Sequence, residues 1–406
     1  MIQENRLRRL LRHAYSEVPY YRRLFDRAGV RPEELETARD LARLPVTSKA
    51  DIQALPIGEV TARGMRLEDC RLTRTSGSTG EPLSIYQRPH DGTMTNFSML
   101  RCFFAYGAKP WDSLLEILGR EEVRPKHWYE YLGFLRRFYL SGAQTPEEWA
   151  SQASLWRPDI LLGYSLNLRL FAEVSEGLER TDKWPKLIVS TSGTLDRHTR
   201  NLLERTFNAR VADLYASAEG GFLAWECPRC HGYHINSDMA ILEFLKDGKP
   251  VAPGEEGEIV ITNLFSFAMP FIRYRQEDVG IPSEENSSCG RGLPLMRAIV
   301  GRSADFIRLP RGGVLSPHPF FIALDGAEDV ARWRIIQEKD LSLHVQVVPK
   351  NEFSRNALKK IESDLSRLVK AEVPVHVEMV SEIVRRPFEK FRSVISRVSE
   401  SEGVTP

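Results

Sequence analysis

Leu72-Thr73-Arg74-Thr75-Ser76-Gly77-Ser78-Thr79-Gly80-Glu81-Pro82 places four hydroxyl side chains and two glycines in the six residues from Thr75 to Gly80. Glycine lets backbone N–H groups approach an anion with no Cβ in the way, and the hydroxyls add further donors, so the run suits a polyphosphate. It is not a Walker A loop, because no Gly-Lys-Ser/Thr closes it and no long helix clearly follows. An ordinary Ser/Gly turn has the same composition, and on these residues alone both readings stand.

Outward from this loop, short apolar runs at Asp159–Gly163, Lys186–Ser190 and Glu258–Ile261 read as strands, with helical patterns between several of them. Such alternation predicts an α/β fold. Before the loop, Leu7, Leu10, Leu11 and Ala14 have the spacing of an amphipathic helix, a second helix follows Pro19, and Ser48 to Asp51 fits a capping box. Towards the end, Leu341, Leu343, Val345 and Val347 alternate, Leu358, Ile361, Leu365 and Leu368 recur at helical spacing, and Val373, Val375, Val377 and Met379 alternate again. These three runs predict a closing β-α-β unit whose helix starts at Ser354. At 406 residues the chain exceeds one ordinary core, so two domains are expected, 1–301 and 302–406, divided at Gly301-Arg302.

Lys+Arg (56) nearly cancels Asp+Glu (55), which disfavours a nucleic-acid partner. No run of 18 apolar residues exists, and the basic start MIQENRLRRLLRHAY lacks the apolar stretch of a secretory signal, so no membrane partner and a cytoplasmic location are expected. Five cysteines are too few and odd in number for a disulfide framework. In Cys227-Pro-Arg-Cys230 a tight turn can present two thiolates to one metal, with His234 close behind and Cys289 as the fourth ligand. A closed Cys₃His set has no open position, so the expected zinc is structural; His231 is a substitute ligand, and reduced thiols with no metal are the alternative.

Further motifs follow the loop in order. They are Ser192-Gly193-Thr194, Tyr215-Ala216-Ser217-Ala218-Glu219, Arg273-Tyr274-Arg275-Gln276-Glu277-Asp278, Gly301-Arg302-Ser303-Ala304-Asp305 and Phe388-Glu389-Lys390-Phe391-Arg392. With Val18-Pro19-Tyr20-Tyr21-Arg22 and Leu44-Pro45-Val46-Thr47-Ser48-Lys49 ahead of it, the series resembles the adenylate-forming superfamily. Within that superfamily it is most similar to the branch of phenylacetate-CoA ligase, CapK and coenzyme F390 synthetase-like proteins. The resemblance implies a large multi-layer N-terminal adenylation domain and a small mobile α+β C-terminal domain.

It also implies roles. Thr75, Ser76, Gly77, Ser78, Thr79 and Gly80 would cradle the phosphates of ATP. Ser192, Gly193, Tyr215 and Ser217 would lie on the adenine side, and Glu219 would help to hold Mg²⁺, an apt oxygen ligand for a hard cation. Asp278 would accept both ribose hydroxyls and Arg302 would contact the nucleotide. Asp305 would be the pivot that removes Lys390 from the site after it has stabilised attack of the acid on the α-phosphate. Two residues depart from the family pattern, Thr194 where a glutamate is common and Glu389 where a glycine precedes the lysine.

The activity so implied is ATP-dependent formation of an acyl-adenylate, release of pyrophosphate, and acyl transfer to coenzyme A. An aromatic or arylacetic acid is the expected substrate, with Phe103, Phe104, Tyr106 and Tyr164 as candidate pocket residues. An amine acceptor and a non-catalytic, zinc-stabilised nucleotide-binding protein are the rivals. The partners are small molecules, a carboxylic acid and an acyl acceptor, and a homodimer is left open.

Overall fold

Leu7, Leu10, Leu11 and Ala14 are fully buried along one side of helix α1 (Ile2–Glu17). They appear in a computed structural model that describes residues 2–75, 82–118, 128–141, 144–176, 184–193, 195–284, 289–302, 306–310, 314–315, 318–325, 327, 329–350, 355–383 and 393–398. Helix α2 (Pro19–Ala28) opens on proline, whose missing N–H costs nothing there, and closes on Gly29 at φ 65°. Both helices pack with Leu35, Leu41 and Leu44 against Ile241, Leu264, Phe267 and Ile272, far along the chain. The capping box forms at α3 (Lys49–Gln53). Ser48 Oγ accepts from the Asp51 N–H at 3.2 Å while Asp51 Oδ2 accepts from the Ser48 N–H at 2.8 Å. Helix α4 (Ile57–Val60) leads to an antiparallel hairpin, β1 (Arg71–Arg74) with β2 (Ser84–Gln87), and then to helix α5 (Pro89–Ala105).

The main sheet has twelve strands among the described residues. Its first half comprises β3 (Leu114–Leu118), β4 (Arg137–Ser141), β5 (Ile160–Tyr164), β6 (Leu187–Thr191) and β7 (Arg210–Ser217), parallel to one another. Its second half comprises β8 (Gly221–Glu226), β9 (Tyr233–Ile235), β10 (Ala240–Lys246), β11 (Lys249–Pro250), β12 (Gly257–Asn263), β13 (Tyr274–Pro282) and β14 (Leu295–Arg302), joined antiparallel. The spatial order is β11-β10-β12-β13-β14-β9-β8-β7-β6-β5-β3-β4.

The central parallel strands β5 and β6 are mostly apolar because helices cover both faces. Leu115, Ile117, Leu161 and Ile188 face α7 (Pro146–Trp156), α8 (Ser165–Ser175) and α9 (Arg197–Phe207), which follow the four-residue α6 (Trp128–Tyr131). Leu114, Ile160, Leu162 and Val189 face Met99 and Phe103 of α5 on the other side.

Beyond Arg302 come the ribbon β15 (Ile307–Arg308) with β16 (Val314–Leu315), helix α10 (His318–Asp325), β17 (Val330–Gln337), β18 (Leu343–Pro349), α11 (Arg355–Leu368), β19 (Val375–Met379) and β20 (Val394–Ser396). The expected β-α-β unit is β18-α11-β19, with its strands parallel and adjacent; Leu343, Val345 and Val347 pack against Ile361 and Leu365. Strands β17 and β20 extend it to a four-stranded sheet of order β19-β18-β17-β20. Fully buried Gln337 ties the ribbon to this sheet, accepting from the Arg308 N–H at 2.8 Å and donating to the Arg308 carbonyl at 2.7 Å. The helix start expected at Ser354 lies outside the described residues. No described helix is long and apolar enough to cross a membrane.

Candidate active site

Strands β6 and β7 end side by side, and open α/β sheets gather ligands at the carboxyl ends of their parallel strands. Thr191 at the end of β6 donates its Oγ1 to the Leu214 carbonyl at 3.0 Å, and the chain then turns at Ser192 with φ 57°. A left-handed non-glycine residue costs on the order of 1 kcal/mol and persists only where its surroundings enforce it. Gly193 follows, exposed.

From the end of β7, Tyr215 donates its hydroxyl to Asp278 Oδ2 at 2.7 Å. Asp278 lies on β13 just after Glu277, another left-handed residue at φ 61°, and directly opposite Arg302 of β14. Three sequence-distant candidates on the nucleotide side thus converge. Glu219 sits within the turn that Ser217 closes by accepting from the Gly220 N–H at 2.9 Å. Tyr274 donates to Glu219 Oε1 at 3.2 Å, and Asn263 Nδ2 donates to the Glu219 carbonyl at 2.7 Å. Burial first, and the Glu219 carboxylate next, pushes the Tyr274 hydroxyl far above its ordinary pKa, so it stays a proton donor.

The β1–β2 hairpin stands beside this turn. Its Ile85 is fully buried in the same core as Tyr215 and Tyr274, and Gln87 Nε2 reaches the Ala218 carbonyl at 3.5 Å. Thr75 closes the hairpin, its N–H donating to the Leu83 carbonyl at 3.0 Å and its Oγ1 accepting from the Leu83 N–H at 2.9 Å. The rest of the loop, Ser76, Gly77, Ser78, Thr79 and Gly80, lies outside the described residues, as do Thr194, Asp305 and Lys390.

A second cluster sits at the β8–β9 turn. The Sγ atoms of Cys227, Cys230 and Cys289 lie within 4.8 Å of one another. The Arg229 and Cys230 N–H groups point at Cys227 Sγ at 3.4 and 3.3 Å. Gly232 is required at this turn: its φ is 117°, and a Cβ there would come within 2.6 Å of the Met296 carbonyl oxygen. His234, fully buried, meets the cluster at Cys289, Nε2 to Sγ at 3.3 Å, and its Nδ1 has no partner among the described residues. Burial pushes the Cys227 thiol up, so a thiolate there needs a compensating cation.

Comparison with known proteins bears on the fold. A family model of the CapK C-terminal domain matches residues 309–397. Phenylacetate-coenzyme A ligase of Escherichia coli (strain K12) is 29% identical over 326 residues, 75% of this chain and 71% of that one. Protein CapK of Staphylococcus aureus is 22% identical over 89% of this chain and 81% of its own. A solved structure of 2-hydroxyisobutyryl-CoA ligase in its postadenylation state superposes with a TM-score of 0.80 at 20% identity, covering 98% of this chain and 89% of the other. These matches liken the chain to the phenylacetate-CoA ligase and CapK-like branch of the adenylate-forming enzymes.

Within this ligase-like enzyme, two of the four aromatic residues expected around an acid pocket, Phe103 and Tyr106, need correction. Phe103 is fully buried and Tyr106 is 6% exposed, both packed in the core between α5 and the sheet with Leu114, Ile160 and Leu162. The α5 face that carries them is the one that covers the strands, so they are not free to line a cavity. At the expected domain boundary, Gly301 and Arg302 are the last residues of β14, opposite Val279 and Asp278, so they finish the sheet and do not form a turn. Tyr274, Asn263 and Gln87 are the partners that sequence reading missed. Tyr274 stood inside a quoted motif with no role given, whereas Asn263 and Gln87 are brought in only by sheet pairing.

Proposed function

We propose that this enzyme couples ATP to a carboxylic acid, releases pyrophosphate, and transfers the acyl group to coenzyme A, with an aromatic or arylacetic acid as substrate. The convergence of Tyr215, Asp278 and Glu219 with the Thr75 hairpin carries the reading, since the motifs meet at the end of the parallel strands. The names of the relatives, phenylacetate-CoA ligases, support the aromatic acid.

A carboxylate is a poor acyl donor because its charge repels nucleophiles and oxide does not leave. In the first step one carboxylate oxygen attacks the α-phosphorus, the bond to the bridging oxygen breaks, and pyrophosphate departs. Asp278 holds the ribose with Tyr215 behind it, the Thr75–Gly80 loop holds the phosphates, and Lys390 faces the charge that develops. Magnesium bound in part by Glu219 would neutralise phosphate charge; the carboxylate, braced by Tyr274, suits a hard cation. In the second step a thiolate attacks the mixed anhydride and AMP leaves. The C-terminal segment beyond a hinge at Asp305 withdraws Lys390 between the steps.

The cysteine cluster suits a structural zinc. Bonds of about 2.3 Å in a tetrahedron space thiolates about 3.8 Å apart, compatible with three Sγ atoms within 4.8 Å. Cys227, Cys230 and Cys289 would hold it, whereas His234, the fourth ligand expected, reaches Cys289 but lies outside the group of mutually close ligand atoms.

The test is acid-dependent exchange of labelled pyrophosphate into ATP across aryl, arylacetic and aliphatic acids, with Lys390→Ala beside the wild type. Exchange restricted to aryl or arylacetic acids, falling by about 10²–10³-fold in the variant, is the expected result. ATP binding without exchange for any acid would overturn it and favour the non-catalytic reading, to which Glu389 already points.

A further inference from the structure

Helix α8 belongs to the main sheet's helical layer, and β17 to the C-terminal sheet. One carboxylate joins them. Glu173 of α8 accepts from Arg169 Nε, one helical turn earlier, at 2.9 Å, and both its oxygens accept from Arg332 Nη2 on β17, Oε2 at 2.7 Å. Arg169, 9% exposed, also crosses the junction and donates Nη2 to the Ala331 carbonyl at 3.1 Å. Among the described residues one carboxylate lies between the two guanidiniums; Lys350 adds to the cationic side and Asp196 opposes it, while burial and the neighbouring Arg169 lower the His198 pKa and keep its ring neutral near pH 7.

The position of this junction matters because of what β17 carries. Ile335, three residues after Arg332, donates its N–H to the Ser393 carbonyl at 2.8 Å, and β17 pairs in parallel with β20 at Ile335↔Val394. Lys390 precedes Ser393 by only three residues, a span of at most about 10 Å. Whatever fixes β17 against α8 therefore fixes the root of the lysine segment.

We propose that Arg169, Glu173 and Arg332 are positioning residues for adenylation. They form a clamp that holds the C-terminal sheet where Lys390 is delivered, and it must open before acyl transfer. This rests on the two-step reading above. None of the three touches substrate; they act through the β17–β20 pairing. Loss of Glu173 does more than remove a contact, because it leaves Arg169 facing Arg332 as unpaired like charges. A Glu173→Gln variant is thus expected to open the clamp more than Arg332→Gln, which leaves the Arg169–Glu173 pair intact. Moving the carboxylate across the junction, in Glu173→Lys with Arg332→Glu, rebuilds it from the other side.

Three readouts test the clamp in the full-length protein. Pyrophosphate exchange reports the first step, single-turnover discharge of preformed acyl-adenylate by coenzyme A reports the second, and hydrogen exchange of peptides 165–175 and 330–337 reports the junction without any substrate. The expected result for Glu173→Gln is a fall in the first step of about tenfold, a second step unchanged or faster, and faster exchange of both peptides. The double variant restores all three. Equal losses in both steps, or wild-type hydrogen exchange in Glu173→Gln, would overturn the proposal. If wild-type enzyme shows no pyrophosphate exchange with any acid, the two-step reading fails, while unchanged or faster hydrogen exchange still decides whether the three residues clamp the junction.

Discussion

Removing a single oxygen at Tyr215 separates orientation of the ribose side from the packing of the ring. The hydroxyl donates to Asp278 Oδ2, while the ring lies in the core with Ile85, Phe271 and Tyr274. Tyr215→Phe keeps the ring and frees Asp278 to turn. A hydrogen bond to a charged acceptor contributes about 1.5–3 kcal/mol, so KM for ATP should rise by about ten-fold or more with kcat little changed. An unaltered KM would mean that Asp278 does not depend on Tyr215 when nucleotide is bound. Asp213 offers a test by pH. Burial pushes its carboxyl up to about 6, against hydrogen bonding from Tyr233, which lowers it. Because the folded pKa is raised, the folded state holds the proton longer than the unfolded one. Stability is then fullest below about pH 4, falls as pH rises to about 6, and stays at its lower level above that. Over this window the loss is at most about 3 kcal/mol. Asp213→Asn retains an acceptor for Tyr233, so its melting temperature should match wild type near pH 4 and exceed it at pH 7.5. A constant difference between the two proteins across that range would exclude Asp213 as the source.

At the scale of elements, the β8–β9 turn is short and its strands pair through only three residue couples, so the thiol cluster at its tip has much to hold. If zinc binds there, purified protein carries about one equivalent by elemental analysis. Cys230→Ser should lose the metal and several degrees of melting temperature, since such sites fold with their metal. Wild-type stability that is indifferent to a strong chelator, in metal-free protein, would assign the cysteines to reduced thiols. The same turn shows what could be read in advance. Cys-x-x-Cys and the apolar runs of β5, β6 and β12 are local signals, because thiol spacing and burial of both strand faces leave a mark within a few residues. Strand β17 left a weaker mark: Arg332 and Arg334 interrupt its apolar residues, and Arg332 is there for α8, not for its own sheet. Asn263 bonding the Glu219 carbonyl, and the burial of Phe103 under α5, depend on how strands are ordered in the sheet, which periodicity does not encode.

Across the whole molecule, one arginine adds a polar tie between the N-terminal segment and the sheet to the apolar packing of α1 and α2. Arg273, a left-handed residue at φ 47° and 4% exposed, binds the Glu243 carboxylate through Nε at 3.0 Å and Nη2 at 2.8 Å and gives Nη1 to the Leu44 carbonyl. Beside it the Thr47 N–H donates to the Arg273 carbonyl at 2.8 Å, and the Arg275 N–H returns to the Thr47 carbonyl at 2.9 Å, so Thr47 forms an isolated parallel bridge with Tyr274 of β13. Residue 274 between these bonds is the tyrosine that braces Glu219. Stability of the N-terminal helices and placement of the site are thereby linked. Arg273→Met leaves the largely covered Glu243 carboxylate without its cation, which costs at most about 3–5 kcal/mol, the range for a fully buried pair that loses one partner. Adding Glu243→Leu should recover most of that loss, because the stranded charge is gone, but not the part owed to the Leu44 carbonyl. Chemical denaturation of the single and double variants measures both terms. Limited proteolysis of Arg273→Met should release the segment before residue 60 first, with pyrophosphate exchange falling as Tyr274 loses its register. Equal destabilisation in the single and double variants would show that the cost lies in the arginine's packing, and the link between the N-terminal helices and Glu219 would then rest on the Thr47 bonds alone.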